Sequence, residues 1–84
     1  MRYYLITFRS VTFAQRGERI LKNAGVGCTL QRAPRAMEER GCGYSLNLRQ
    51  QDVGMALDLL RQAQVPYRKV YFRTGDGKME EVAL

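Results

Sequence analysis

Residues 26–49 read Val-Gly-Cys-Thr-Leu-Gln-Arg-Ala-Pro-Arg-Ala-Met-Glu-Glu-Arg-Gly-Cys-Gly-Tyr-Ser-Leu-Asn-Leu-Arg, and this stretch decides the fold. Val26, Cys28 and Leu30 alternate with Gly27, Thr29 and Gln31, the period of a strand with one covered face. Tyr44, Leu46 and Leu48 alternate in the same way with Gly43, Ser45 and Asn47. Between the two runs lies Ala33-Pro34-Arg35-Ala36-Met37-Glu38-Glu39-Arg40-Gly41, a polar loop opened by a proline. Two consecutive strands without an intervening helix exclude a simple alternation of strand and helix with a parallel sheet.

Each strand is flanked by a further pair of elements. On the N-terminal side, Arg2–Phe8 is dense in aromatic and aliphatic residues and reads as a strand. Ser10 follows as an N-cap, and Phe13, Ala14, Gly17, Ile20, Leu21 and Ala24 repeat at helical spacing up to Gly25. On the C-terminal side, Val53, Ala56, Leu57, Leu60 and Ala63 mark one face of a helix over residues 52–64, and residues 65–73 form another strand. The order β-α-β-β-α-β predicts an α+β, ferredoxin-like domain: a four-stranded antiparallel sheet with two helices on one face. Gly17 and Gly54 weaken the helices by roughly 1 kcal/mol each against Ala, and a close helix–sheet approach is the expected compensation. The Asp76-Gly77 turn signal either returns residues 79–84 as an extra C-terminal strand or leaves them as a tail. The 84 residues make one domain, 1–84, with its core in 2–73.

Composition narrows the chemistry. The chain has no His, no Trp and two Cys. Without histidine there is no Ser-His-Asp or Cys-His catalysis, and two cysteines alone do not complete a structural zinc site. No metal or cofactor is expected, and what remains is a domain that either binds an anion or carries something on a cysteine. The apolar stretch at the N-terminus is too short for a signal peptide, and none approaches the ~18 apolar residues of a spanning helix. A cytoplasmic protein with free thiols and no membrane contact is therefore expected.

The charge of +6 is unevenly placed. Residues 1–49 carry nine basic against three acidic side chains, whereas residues 50–84 carry five of each. Eleven of the 14 cations are arginine, whose planar fork of donors suits phosphate, carboxylate and similar oxyanions.

Alternation assigns the sheet faces. Tyr4, Ile6, Phe8, Cys28, Leu30, Leu46, Leu48, Val70 and Phe72 form the inner set. Tyr3, Leu5, Thr7, Thr29, Gln31, Ser45, Asn47, Arg49, Tyr67, Lys69, Tyr71 and Arg73 form the outer set. Tyr3, Tyr67 and Tyr71 among cations suit either a homodimer interface or a nucleic-acid platform. Arg40–Asn47 partly matches the RNA-recognition octamer at Arg40, Gly41, Gly43 and Tyr44. That register would expose Leu46 and Leu48 and bury Ser45 and Asn47 in the core, so the match is rejected. A homodimer is preferred over nucleic acid.

The loop before the second of the two strands carries the sharpest chemistry. Cys42 stands between Gly41 and Gly43, which leave its sulfur sterically open. Arg32, Arg35 and Arg40 precede it within ten residues. Cations favour thiolate over thiol, and the thiolate is the nucleophile. Arg9-Ser10 at the start of the first helix adds a hydroxyl and unpaired N–H groups, a second feature that suits an anion. Cys28, on the inner parity of its strand, reads as an inert core thiol.

The chain resembles the small family described as putative selenium/sulfur carrier protein-like, over about residues 3–72. The resemblance rests on Tyr4-Leu5-Ile6-Thr7-Phe8-Arg9-Ser10 with Ala14, then Leu30 and Pro34-Arg35, then Cys42-Gly43. Where the family has small hydroxyl residues before the cysteine, this chain has Met37-Glu38-Glu39-Arg40-Gly41. The resemblance implies that Cys42 accepts sulfur or selenium as a persulfide or selenopersulfide. Arg35, Arg32, Arg40 and Ser10 then stabilise the anion, while Pro34, Gly41 and Gly43 shape the loop. The implied partners are sulfur or selenium donor and acceptor proteins, such as a cysteine desulfurase. The alternative is a non-covalent module for an anionic metabolite or RNA.

Overall fold

The computed structural model describes residues 3–32, 43–73 and 79–82. In chain order the elements are β1 (Tyr3–Phe8), α1 (Val11–Asn23), β2 (Cys28–Arg32), β3 (Tyr44–Arg49), a short 3-10 turn (Gln50–Asp52), α2 (Val53–Gln62), β4 (Val70–Arg73) and β5 (Met79–Val82). The strands form one open antiparallel sheet in the order β2-β3-β1-β4-β5. The sheet thus has five strands rather than the expected four. The addition is β5, which pairs with β4 from Val70↔Val82 to Arg73↔Met79.

Both helices end in the same way. The Gly25 N–H donates to the Lys22 carbonyl (3.0 Å) and the Val26 N–H to the Leu21 carbonyl (2.9 Å). Gly25 supplies the left-handed residue with φ 83°. At the end of α2, the Gln64 N–H donates to Arg61 O (3.1 Å) and the Val65 N–H to Leu60 O (2.9 Å). Here the left-handed position, φ 58°, is held by Gln64, a residue with a Cβ to accommodate. Each exit then buries an apolar side chain, Val26 or Val65, in the core.

The core lies between the helices and one face of the sheet. Ala14 and Leu21 of α1 and Ala56, Leu57 and Leu60 of α2 pack with Ile6, Phe8, Leu46, Leu48 and Val70. Tyr4, Cys28 and Leu30 pack at its margin, and the Tyr4 and Phe72 rings meet with centroids 5.2 Å apart. The inner-face assignment is realised, with Leu46 and Leu48 in the interior as the parity reading required. At Gly17, α1, α2 and the sheet come together tightly. A Cβ there would stand 3.1 Å from Leu60 Cδ2, 3.3 Å from Phe8 Cζ and 3.4 Å from Leu46 Cδ1. Gly54 has no such compensation, because a Cβ there meets nothing within 4 Å.

Two further expectations are corrected. The strand expected over 65–73 forms regular ladder only in β4, Val70–Arg73. Pro66 has no N–H to contribute, and Arg68 and Lys69 both engage Thr7. The Arg68 N–H donates to Thr7 O, and the Thr7 N–H donates to Lys69 O, each at 2.8 Å. Two residues facing one is bulge geometry, and it breaks the alternation. Tyr67 accordingly packs against the core rather than standing on the outer face. The outer face itself is not uniformly open: Leu5, Thr7 and Ser45 on the central strands are buried.

Candidate functional site

Cys42, with Pro34, Arg35, Arg40 and Gly41, lies outside the described residues. What the structure places is the frame around that segment. β2 leaves the sheet at Arg32 and β3 enters it at Tyr44, and these two residues are paired in register. Tyr44 is also paired on its other side with Phe8, the last residue of β1. Because the strands are antiparallel, three chain ends converge at one edge: the exit of β2, the entry of β3 and the turn from β1 into α1. Arg32 and Arg9 are exposed there, and Gly43 is buried next to Tyr44.

That turn carries Ser10. Its backbone is extended (φ −138°, ψ 157°), the N-cap conformation, and its hydroxyl oxygen accepts a hydrogen bond from the Phe13 N–H at 3.3 Å. The hydroxyl keeps its own proton to donate. α1 is 13 residues long and has no acidic residue in its first turn. No side chain of its own first turn neutralises its positive end, which favours negative charge nearby. Of the candidates read from the sequence, the structure thus brings Ser10, Arg32 and Gly43 to one end of the sheet, with Arg9 beside them. Tyr44 was not among the candidates. Strand alternation shows it facing the core but not that it stands between β1 and β2, which is a consequence of sheet order.

Cys28 is a different kind of cysteine. It is a free, half-buried thiol at the start of β2, paired with Leu48. Four residues of strand, about 13 Å, separate it from Arg32 at the other end of β2. Its Sγ lies 4.0 Å from the Glu18 carbonyl oxygen, toward which the thiol is a weak donor. Burial pushes its pKa up, repulsion from the Glu18 carboxylate adds to this, and Lys22 opposes only part of it. Glu18 is itself paired with Lys22 at 3.3 Å. Cys28 therefore holds its proton and is a poor nucleophile, as expected of a core-margin thiol.

Among the described residues, no group of three or more His, Cys, Asp or Glu is arranged to hold a metal ion. No helix among them is long and apolar enough to cross a membrane.

The fold and this edge define a small α+β domain with a cationic loop frame at one end of its sheet. The model of the family described as putative Se/S carrier protein-like matches residues 3–72, and the chain belongs to that family. No curated protein and no solved structure matches the chain.

Proposed function

We propose that the chain carries sulfur or selenium on Cys42 between a donor and an acceptor protein. The observation that carries this reading is the family match over residues 3–72, a span that includes Cys42. It is supported by the convergence of Arg9, Ser10 and Arg32 at the edge where the chain leaves and re-enters the sheet around that cysteine.

The chemistry requires only a thiolate. The Cys42 thiolate attacks the terminal sulfur of a donor persulfide, for example that of a cysteine desulfurase. A new S–S bond forms, the donor's S–S bond breaks, and the donor cysteine leaves as thiolate. Cys42 now bears a persulfide. An acceptor thiolate then attacks the outer atom, forming its own persulfide as the S–S bond to Cys42 breaks, and Cys42 departs as thiolate in turn. The transferred sulfur keeps its oxidation state, so neither oxidant nor reductant is consumed. A terminal selenium atom follows the same course. Arg35 with Arg32 and Arg40 holds the negative charge of thiolate and persulfide, and the Ser10 hydroxyl and the start of α1 add to the same field. Pro34, Gly41 and Gly43 keep the approach to sulfur open.

The test is pH-dependent alkylation of Cys28→Ser, in which Cys42 is the one remaining thiol. The expected midpoint lies below the ordinary cysteine value of ~8.5, and Arg35→Ala moves it upward. A midpoint at or above the ordinary value, unmoved by Arg35→Ala, contradicts the reading.

A further inference from the structure

α1 turns one side to solvent, and that side carries charge of one sign. Ala14, Gly17 and Leu21 are buried and set the inward direction. At about 100° per residue, Arg16, Arg19 and Lys22 project away from it, and all three are exposed. They stand three residues apart, so they form one ridge, with about 4.5 Å of axial rise between neighbours and about 9 Å from end to end. Thr12, Gln15 and Asn23, exposed on the same side, are uncharged. Lys22 is paired with Glu18, which lies half-buried on the flank of the ridge. Arg16 and Arg19 make no ion pair among the described residues. On α2, by contrast, the exposed Arg61 and Asp58 pair with one another at 3.5 Å. A solvated helix ordinarily interleaves the two signs in that way, whereas a face of one sign is complementary to a surface of the other.

The ridge adjoins the Cys42 edge. α1 starts at that edge, behind Ser10, and Arg16 follows six residues, or about 9 Å, further along the axis. Arg9 is exposed at the edge itself, and Val11, the first residue of α1, leaves 36% of its surface exposed there. Cations around an exposed apolar residue suit a transient protein interface. Nucleic acid is a poorer fit. No aromatic side chain stands on this face, since Phe13 packs against the core, so bases would find no stacking platform.

We propose that the outward face of α1 docks the sulfur-donating protein through an acidic patch on that protein. This rests on the carrier reading of Cys42: α1 holds the donor alongside the edge where its persulfide must arrive.

The experiment compares two donors of the same sulfur. A cysteine desulfurase with cysteine is a protein donor, and glutathione persulfide is a small one that needs no docking. One-sulfur loading of Cys42 is followed by intact mass against time, in the wild type and in the triple variant Arg16→Gln, Arg19→Gln, Lys22→Gln. In the variant the second-order rate of loading from the desulfurase should fall at least about tenfold, while loading from glutathione persulfide stays within about twofold. The second donor also shows that the variant is folded around an intact Cys42. Raising the ionic strength from about 0.01 M to about 0.15 M shortens the screening length from roughly 30 Å to 8 Å. It should slow desulfurase loading of the wild type several-fold and of the variant much less. The proposal is overturned if wild type and variant load equally fast from the desulfurase, or if salt affects both alike. Equal loading is the result expected if the face instead serves a nucleic acid, and a labelled single-stranded oligonucleotide would then bind the wild type and not the variant. Loading from glutathione persulfide alone overturns the docking proposal and leaves the carrier reading standing. No adduct from either donor overturns the carrier reading, and the docking proposal with it.

Discussion

Replacing Gly17 by Ala, beside the same change at Gly54, isolates how tightly the two helices are seated. Gly17 lies in the middle of α1, where the intrinsic gain is about 0.5–1 kcal/mol, and Gly54 is the second residue of α2, where the gain is at most that. At Gly54 the new methyl meets nothing within 4 Å, so no packing cost offsets the gain. At Gly17 the methyl enters a space bounded by Leu60 Cδ2 at 3.1 Å, Phe8 Cζ at 3.3 Å and Leu46 Cδ1 at 3.4 Å. These three side chains belong to α2, β1 and β3, and all are fully buried. They cannot retreat without disturbing their own neighbours, and overpacking of this kind costs about 1–3 kcal/mol. Gly54→Ala should therefore be stabilised by up to about 1 kcal/mol, and Gly17→Ala should be unchanged or destabilised by up to about 2 kcal/mol. In urea unfolding the two midpoints should move apart at constant slope. In thermal unfolding, each kcal/mol corresponds to about 4–8 °C for a domain of this size. Equal stabilisation by both substitutions would refute the close three-way approach at Gly17.

Four further outcomes follow from particular residues. Gln64→Gly should raise stability by up to about 1 kcal/mol in urea unfolding, because it relieves a left-handed residue that has a Cβ. Ser45→Ala should be neutral or stabilising by the same assay, since the buried hydroxyl it removes has no partner to lose. Ser10→Ala should cost about 1 kcal/mol through loss of the cap to the Phe13 N–H, whatever its effect on Cys42. The raised pKa of Cys28 implies that the native thiol keeps its proton at pH values where the unfolded chain has lost it. Its contribution is therefore complete below the unfolded-state pKa and is lost as pH rises toward the folded value. The decline in stability above neutral-to-alkaline pH should be shallower in Cys28→Ser, measured by unfolding midpoint against pH.

The element order was legible because each element carries its own period. Leu46 and Leu48 against Ser45 and Asn47 fix which face of β3 enters the core, and Ser10 and Gly25 bound α1. Helix packing was legible at Gly17 but not at Gly54, since a glycine in a helix says nothing of what stands opposite it. The parity of residues 65–69 failed because a bulge at Arg68 and Lys69 is set by the partner residue Thr7, far away in sequence. The burial of Leu5, Thr7 and Ser45 was likewise invisible to alternation, which assigns faces but not their cover. Of the candidate site, Ser10, Arg32 and Gly43 were identified by local chemistry. Their meeting at one edge comes from the pairing of Tyr44 with both Phe8 and Arg32.

The most direct measurement of the central claim is intact mass spectrometry after incubation with a cysteine desulfurase and cysteine. The account predicts a one-sulfur adduct on the wild-type chain, retained in Cys28→Ser and absent in Cys42→Ser. An unmodified wild-type chain, or an adduct of equal yield on Cys42→Ser, would contradict it.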